Sequence, residues 1–288
     1  MTPVPPPVPR TDAPRLKAPP GACDTHIHIY GPKDKYPVAP TAPFAPTFAP
    51  VEAYRKVMAR LGLQRVVVVQ PTAYATDNRC TMEAVAAIGA ADARAVVVVD
   101  RSVGDAELER LTRAGARGIR FHMLAGGVLP WEILEEMAAR VHAFGWLVQL
   151  QLDGRGLAER EAVLRRLPGR LIVDHTGKFL EPVAPGHPAF KVLRRLVDGG
   201  RCWVKLAAAY ETSKAGPPDY ADVGLLAKAL VEAAPERILW ASNWPHPSAQ
   251  ANPPDDAMLM DVLLHWCPDE AARRRILASN PAELYGFA

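Results

Sequence analysis

Two histidines one residue apart, His26 and His28, close an apolar stretch that reads Cys23-Asp24-Thr25-His26-Ile27-His28-Ile29. On a strand, alternate side chains share a face, so Asp24, His26 and His28 are expected to project together while Cys23, Ile27 and Ile29 face the other way. A neutral imidazole carries one donor and one acceptor and titrates near neutrality, which suits metal ligation and proton transfer alike. Other polar residues sit at the ends of other apolar runs: Gln70, Asp100 with Arg101, Arg120 with His122, Gln149 and Gln151 with Asp153, His175, Lys205 and Asn243. Burying so many polar groups costs free energy unless they are partnered, so their convergence points to an active site rather than to folding alone. Asp100 and Asp153 can also be read as caps of the helices that follow, and His142, His187 and His265 as surface residues.

The elements that must position these residues alternate regularly. Strand-like runs are expected at 21–30, 65–70, 93–100, 118–124, 147–153, 171–175, 202–207 and 238–243, with helical spacing between them at 51–61, 78–91, 105–114, 131–144, 156–167, 187–197 and 221–234. Further helix is expected at 269–278 and from Asn280, where Asn280 can cap, Pro281 suits the first turn and Glu283 can reach back. Eight β/α units in a chain of 288 residues imply a single (β/α)8 barrel. Such barrels place their chemistry at the C-terminal ends of the strands, where the residues above fall. The stretch 31–50 holds prolines at 32, 37, 40, 43, 46 and 50 and reads as a long loop beside the His-x-His strand.

Bulk properties narrow the class. A chain that is 49% hydrophobic can fill one large core, and a net charge of +3 with interleaved acids and bases leaves no basic stripe for nucleic acid and no cationic face for a membrane. Cys23, Cys80, Cys202 and Cys267 are widely spaced and form no Cys-x-x-Cys pair, which speaks against a zinc knuckle or disulfide framework and for a reducing, cytoplasmic location. Residues 1–20 read as a proline-rich N-terminal leader with no apolar core, neither signal peptide nor anchor, ahead of a catalytic barrel over 21–288. Oligomeric state is not legible.

A His-x-His motif on the first strand of a barrel resembles the amidohydrolase superfamily, whose metal-dependent members typically add a lysine, two more histidines and an aspartate from later strands. Here His26, His28 and His175 fit that pattern, while strand four offers Arg120 and His122, strand five Gln149 and Gln151, and strand eight Asn243. Three imidazoles could hold zinc, but the missing anionic ligand disfavours it, so no metal or other cofactor is expected. The runs 23–32, 66–70 with Asp77-Asn78, Ala116-Arg117-Gly118-Ile119-Arg120, Val173-Asp174-His175-Thr176-Gly177-Lys178 and 239–247 resemble the metal-independent lactonase branch of that superfamily. Within the branch, 151–157, 174–179, 209–214, 220–223 and 243–246 are more similar to its lactone isomerases than to its hydrolases, although the isomerase pattern has glutamine in place of His26.

The resemblance implies interconversion of 1,5- and 1,4-lactones of a sugar acid, with a carboxylated lactone as the small-molecule partner. Lactonases of the branch carry an aspartate where this chain has Asn243, and an amide cannot take the proton of an attacking water. The expected roles follow from that chemistry. His28 or His175 shuttles the proton, the other imidazoles, His26 included, and Asn243 donate to the carbonyl oxygen, and Arg120 anchors a carboxylate. Gln151, Lys205, Tyr210 and His246 are secondary contacts. A lactone hydrolase and a zinc hydrolase remain as alternative readings.

Overall fold

The computed structural model describes residues 12–288, so most of the expected leader lies outside the described residues. Eight short strands run in chain order: β1 (Cys23–Ile27), β2 (Arg65–Val69), β3 (Ala93–Val97), β4 (Ala116–His122), β5 (Leu147–Gln151), β6 (Leu171–Val173), β7 (Cys202–Leu206) and β8 (Ile238–Trp240). Each is parallel to the next, in the order β1 to β8. The seam between β8 and β1 is drawn together by backbone bonds just beyond the strands, Asn243 N to His26 O at 3.0 Å and His28 N to Trp244 O at 2.8 Å. The expected (β/α)8 barrel is therefore the fold.

Helices α1 (Val51–Leu61), α2 (Arg79–Ile88), α3 (Asp105–Arg113), α4 (Leu134–His142), α5 (Leu157–Arg166), α6 (Pro188–Asp198) and α7 (Ala221–Ala233) fill the expected intervals. The first stops where Gly62 takes up φ 73°, a left-handed cap whose N–H reaches Ala59 O. One helix has no counterpart in the sequence reading: α8 (Asp256–Trp266), capped by the Asp255 side chain on Met258 N. Its residues are apolar around most of the circumference, so no 3.6-residue stripe announces it, and six of its apolar side chains are buried. The chain ends in α9 (Glu270–Arg274), a π turn (Arg275–Ser279) and α10 (Asn280–Tyr285). Asn280 does not cap. Its amide donates to Pro235 O and Ile238 O at 2.8 and 2.7 Å, tying the last helix under β8.

The barrel is filled from below. Cys23, Val67, Val69, Val96, Leu147, Ile172, Trp203 and Leu239 point inward and are covered by Leu284, Tyr285 and Phe287 from the C-terminus. Arg94 secures that plug, donating to Tyr285 O and Gly286 O and lying 4.4 Å over the Phe287 ring. Among the described residues of the leader segment, Leu16 is buried and its N–H bonds Asp261 on α8. Also among the described residues, no helix is long and apolar enough to cross a membrane.

One local expectation fails on β1. Asp24 does not share a face with His26: a register shift between Asp24 and Ile27 breaks the alternation. Cys23 belongs to the interior cluster, while Asp24 meets Tyr54 on α1 at 3.1 Å and Ser242 Oγ at 2.5 Å. The bulge turns the carboxylate toward the helix layer and leaves both histidines inside.

Candidate active site

His26, His28 and His175 meet at the C-terminal mouth of the barrel. The His26 ring centroid lies 4.9 Å from each of the other two. His26 and His28 arrive on the end of β1, but His175 and Asn243 stand beyond their strands on backbone with φ of 54° and 64°. Thr176, Lys178, Ala208 and His246 are also non-glycine residues at positive φ in the loops after β6, β7 and β8. Strained backbone of this kind persists only where the surroundings over-determine it, and here it surrounds the mouth. Two glycines let the neighbouring loops close up. Gly177 sits at φ 88°, and a Cβ on Gly154 would run into the Gly177 carbonyl.

The hydrogen-bond network fixes the tautomers. The Lys205 ammonium donates to Gln149 Oε1 at 2.7 Å, which turns Gln149 Nε2 toward Asp174 Oδ2 at 2.9 Å and His26 Nδ1 at 3.3 Å. His26 Nδ1 is then an acceptor and its proton sits on Nε2, 3.3 Å from His28 Nε2. His28 in turn donates from Nδ1 to Val69 O at 2.8 Å. His175 differs, because its buried Nδ1 has no partner. All three rings are held neutral. Burial lowers His28 to about 3, with Arg120 adding to the effect, and burial holds His26 and His175 well below the ordinary imidazole range.

Three buried cations ring this group, and they are not equivalent. Lys205 is fully buried and committed to Thr25 O and Gln149, 3.7 Å from Asp174 Oδ1. Lys178 pairs with Glu211. Burial lowers both ammonium groups to about 8. Arg120 instead donates to two neutral oxygens, Gln70 O at 2.8 Å and Gln151 Oε1 at 2.9 Å, and its buried Nε has no partner. A buried guanidinium without a carboxylate in contact is costly, and an anionic ligand would relieve it.

On the β8 side Asn243 Nδ2 donates to Tyr210 Oη at 2.8 Å and lies 3.4 Å from Glu211 Oε1. Tyr210 Oη is 3.1 Å from His246 Nδ1, and His246 Nε2 is 3.1 Å from Asp256 Oδ1. The expected donation from Asn243 to a substrate carbonyl is therefore pre-empted, since its amide nitrogen is already engaged. His246 also lines a cavity of about 290 Å³ with Tyr30, Phe48, Trp244 and Gln250, under the proline-rich 31–50 stretch. That stretch is clasped by Thr47, whose N–H and hydroxyl both reach Gln250 Oε1.

Other polar strand ends stand apart. Asp153 accepts from Arg155 N at 3.0 Å and pairs with the Arg155 side chain, and Asp100 accepts from Ser102, so both act as local caps. His142 and His265 are exposed, and His187 accepts from Ala189 N at the start of α6. Sequence reasoning gave no role to Asp174, Lys178, Glu211 or Asp256. Asp174 and Lys178 flank His175 and Glu211 follows Tyr210, so proximity to those residues was a usable signal. Asp256 had none, because it lies on the unassigned α8.

A divalent metal, which the His-x-His resemblance raises, fits this site poorly. His26, Asp174 and His175 offer ligand atoms within 4.8 Å of one another, and Asp174 Oδ1 has no hydrogen-bond partner. Yet that carboxylate, the sole anion of the trio, already faces the Lys205 ammonium, and a second cation beside it would be repelled.

A family model described as amidohydrolase matches residues 23–287. The D-galactarolactone isomerase of Agrobacterium fabrum is 40% identical over 95% of this chain and 94% of its own. The 2-pyrone-4,6-dicarboxylate hydrolase of Comamonas testosteroni is 34% identical over 94% of this chain and 92% of its own. The apo crystal structure of Agrobacterium tumefaciens ATU3138 superposes with a TM-score of 0.90 at 39% identity, covering 96% of this chain and 99% of that one.

Proposed function

The chain belongs to the amidohydrolase family, and on that premise we propose that it is a lactone isomerase that interconverts the 1,5- and 1,4-lactones of an aldaric acid. A galactarolactone isomerase and a pyrone-dicarboxylate hydrolase among its relatives support lactone chemistry on a carboxylated ring. The observation that carries isomerisation over hydrolysis is Asn243. Its side chain, just beyond β8, is an amide, which cannot serve as base for a water.

In the proposed reaction the C4 hydroxyl of the bound 1,5-lactone attacks C1, the C1–O5 bond breaks and O5 leaves as a hydroxyl. Holding nucleophile and carbonyl in one molecule supplies much of the rate. His175, with an unpartnered nitrogen, takes the O4 proton and returns it to O5, so it ends as it began. The Lys178 ammonium is the donor for the negative charge that develops on the carbonyl oxygen, while His26 Nε2–H stays committed to His28. Arg120 holds the free carboxylate. Gln151 fixes the Arg120 fork, and Lys205 acts from beneath through Gln149.

This chemistry runs without a resident metal, a reading supported by the Lys205 ammonium beside Asp174. A cytoplasmic setting is supported by four buried free thiols. The test is to add an aldaro-1,5-lactone and follow both the NMR spectrum and acid release. Conversion to the 1,4-lactone without acid release is expected. Stoichiometric acid would instead establish the second reading, a lactone hydrolase in which His175 deprotonates water. Loss of activity on chelation, restored by zinc, would sink the metal-free mechanism.

A further inference from the structure

The hydrogen-bond chain behind Asn243, through Tyr210 and His246 to Asp256, has a direction. The Asp256 carboxylate can only accept, so the His246 proton must sit on Nε2, 3.1 Å away. His246 Nδ1 is then an acceptor, and the Tyr210 hydroxyl hydrogen points to it. The remaining lone pairs of Tyr210 Oη can only accept, so the Asn243 group 2.8 Å away has to be the amide nitrogen. Glu211 enforces the same choice independently. Its Oε1 lies 3.4 Å from that nitrogen, and its carboxylate is held by Lys178 and by Ser248 Oγ. An amide oxygen turned this way, or an aspartate at this position, would meet lone pairs on both Tyr210 and Glu211.

We propose that Asp256, His246, Tyr210 and Glu211 lock the Asn243 amide with its nitrogen toward the β7–α7 loop, so that its oxygen faces the mouth and accepts a hydrogen bond from a ring hydroxyl of the substrate. Among the described residues no hydrogen bond reaches Asn243 Oδ1, although the residue is only 2% exposed. Asn243 thereby selects hydroxylated lactones over their deoxy counterparts. Asp256, His246 and Tyr210 are positioning residues, acting through Asn243 without touching the substrate. The substrate half of this inference rests on the sugar-acid lactone reading above. The lock itself does not.

Two measurements separate them. The chain holds four asparagines, so selective ¹⁵N-asparagine labelling gives four side-chain amides, and in the ligand-free protein one of them, lost in N243L, should be protected from solvent exchange. In Tyr210→Phe and Asp256→Leu, each of which removes a link of the chain, that signal is expected to shift and lose protection, while in Glu211→Gln, which keeps an acceptor, it should persist. An unmoved signal in both Y210F and D256L would overturn the lock. Binding is then compared for a carboxylated hydroxylactone and its deoxy analogue, which wild type should discriminate by about fivefold to tenfold, the worth of one neutral hydrogen bond. Y210F should erase most of that ratio. A ratio unchanged in Y210F although the amide has moved would overturn the substrate contact. If wild type isomerises no aldarolactone, the functional reading fails while the amide signals still judge the lock.

Discussion

At the scale of single residues, the mouth separates groups that are satisfied by the fold from groups that are not. Lys205, Gln149, His26 and His28 form one closed donor-acceptor chain, whereas Arg120 Nε and His175 Nδ1 are buried with nothing to bond. Unsatisfied groups of this kind mark where a ligand is expected. Arg120→Met should lower kcat/KM for a carboxylated lactone by about two to three orders of magnitude and leave a neutral lactone of the same ring little changed, a comparison read by steady-state kinetics. His175→Asn should act on kcat instead, lowering it about 10²–10⁴-fold with little change in KM. Equal losses for His28→Asn and His175→Asn would not identify the base by rate alone, because His28 Nε2 is tied to His26 and its removal also frees that ring. Both imidazoles were visible in the sequence. Which of them is free was not, since that depends on partners brought in from other strands, such as Val69 O for His28 Nδ1.

At the scale of elements, the strands stop early on the β6 and β8 side, and this shapes the site. β6 ends at Val173 and β8 at Trp240, so His175 and Asn243 leave the pleat and take left-handed backbone. The bottom of the barrel is organised differently, by the C-terminal plug. Tyr285 is fully buried with its hydroxyl unpartnered. Tyr285→Ala should cost about 3–5 kcal/mol in denaturant titration, while Tyr285→Phe should be neutral or stabilising because it removes an unsatisfied group. kcat of the folded protein should be unchanged in both, since the plug lies at the end of the barrel away from the mouth. Strand and helix positions were legible because alternation and 3.6-residue spacing survive in one dimension. The β1 bulge and α8 were not: a bulge leaves no mark in composition, and a helix buried on most sides loses its polar stripe.

At the scale of the whole molecule, the site is an interior lined with neutral imidazoles, and this couples folding to pH. His28 and His122 fall from 6.5 to about 3 through burial, with Arg120 as the next cause in each, and His26 and His175 are lowered as well. Between about pH 3 and 6.5 the unfolded chain binds more protons than the folded one. Stability is therefore full above about 6.5 and is lost as pH falls toward 3. Asp24 opposes this over a narrower window, since burial raises its carboxyl from 3.8 to about 6 and its contribution fades as pH rises through 6. Four imidazoles outweigh one carboxyl. The urea midpoint should thus drop steadily from pH 7 to pH 4, and His122→Asn should flatten that drop; an unchanged slope would show that His122 does not titrate on unfolding.

What the amino-acid order determined by itself is what one-dimensional periodicity and residue type can carry: eight β/α units, a barrel, and imidazoles, an arginine and an asparagine at the ends of its strands. Those features are local, because a strand's alternation and its terminal residue do not depend on distant contacts. What the tertiary structure alone decided is the protonation and direction of those groups. Lys205 orients Gln149 and so His26, and Asp256 on α8 orients His246, Tyr210 and so Asn243. A hydrogen bond has a sense only when its partner is present, and these partners are brought together by the closure of the barrel.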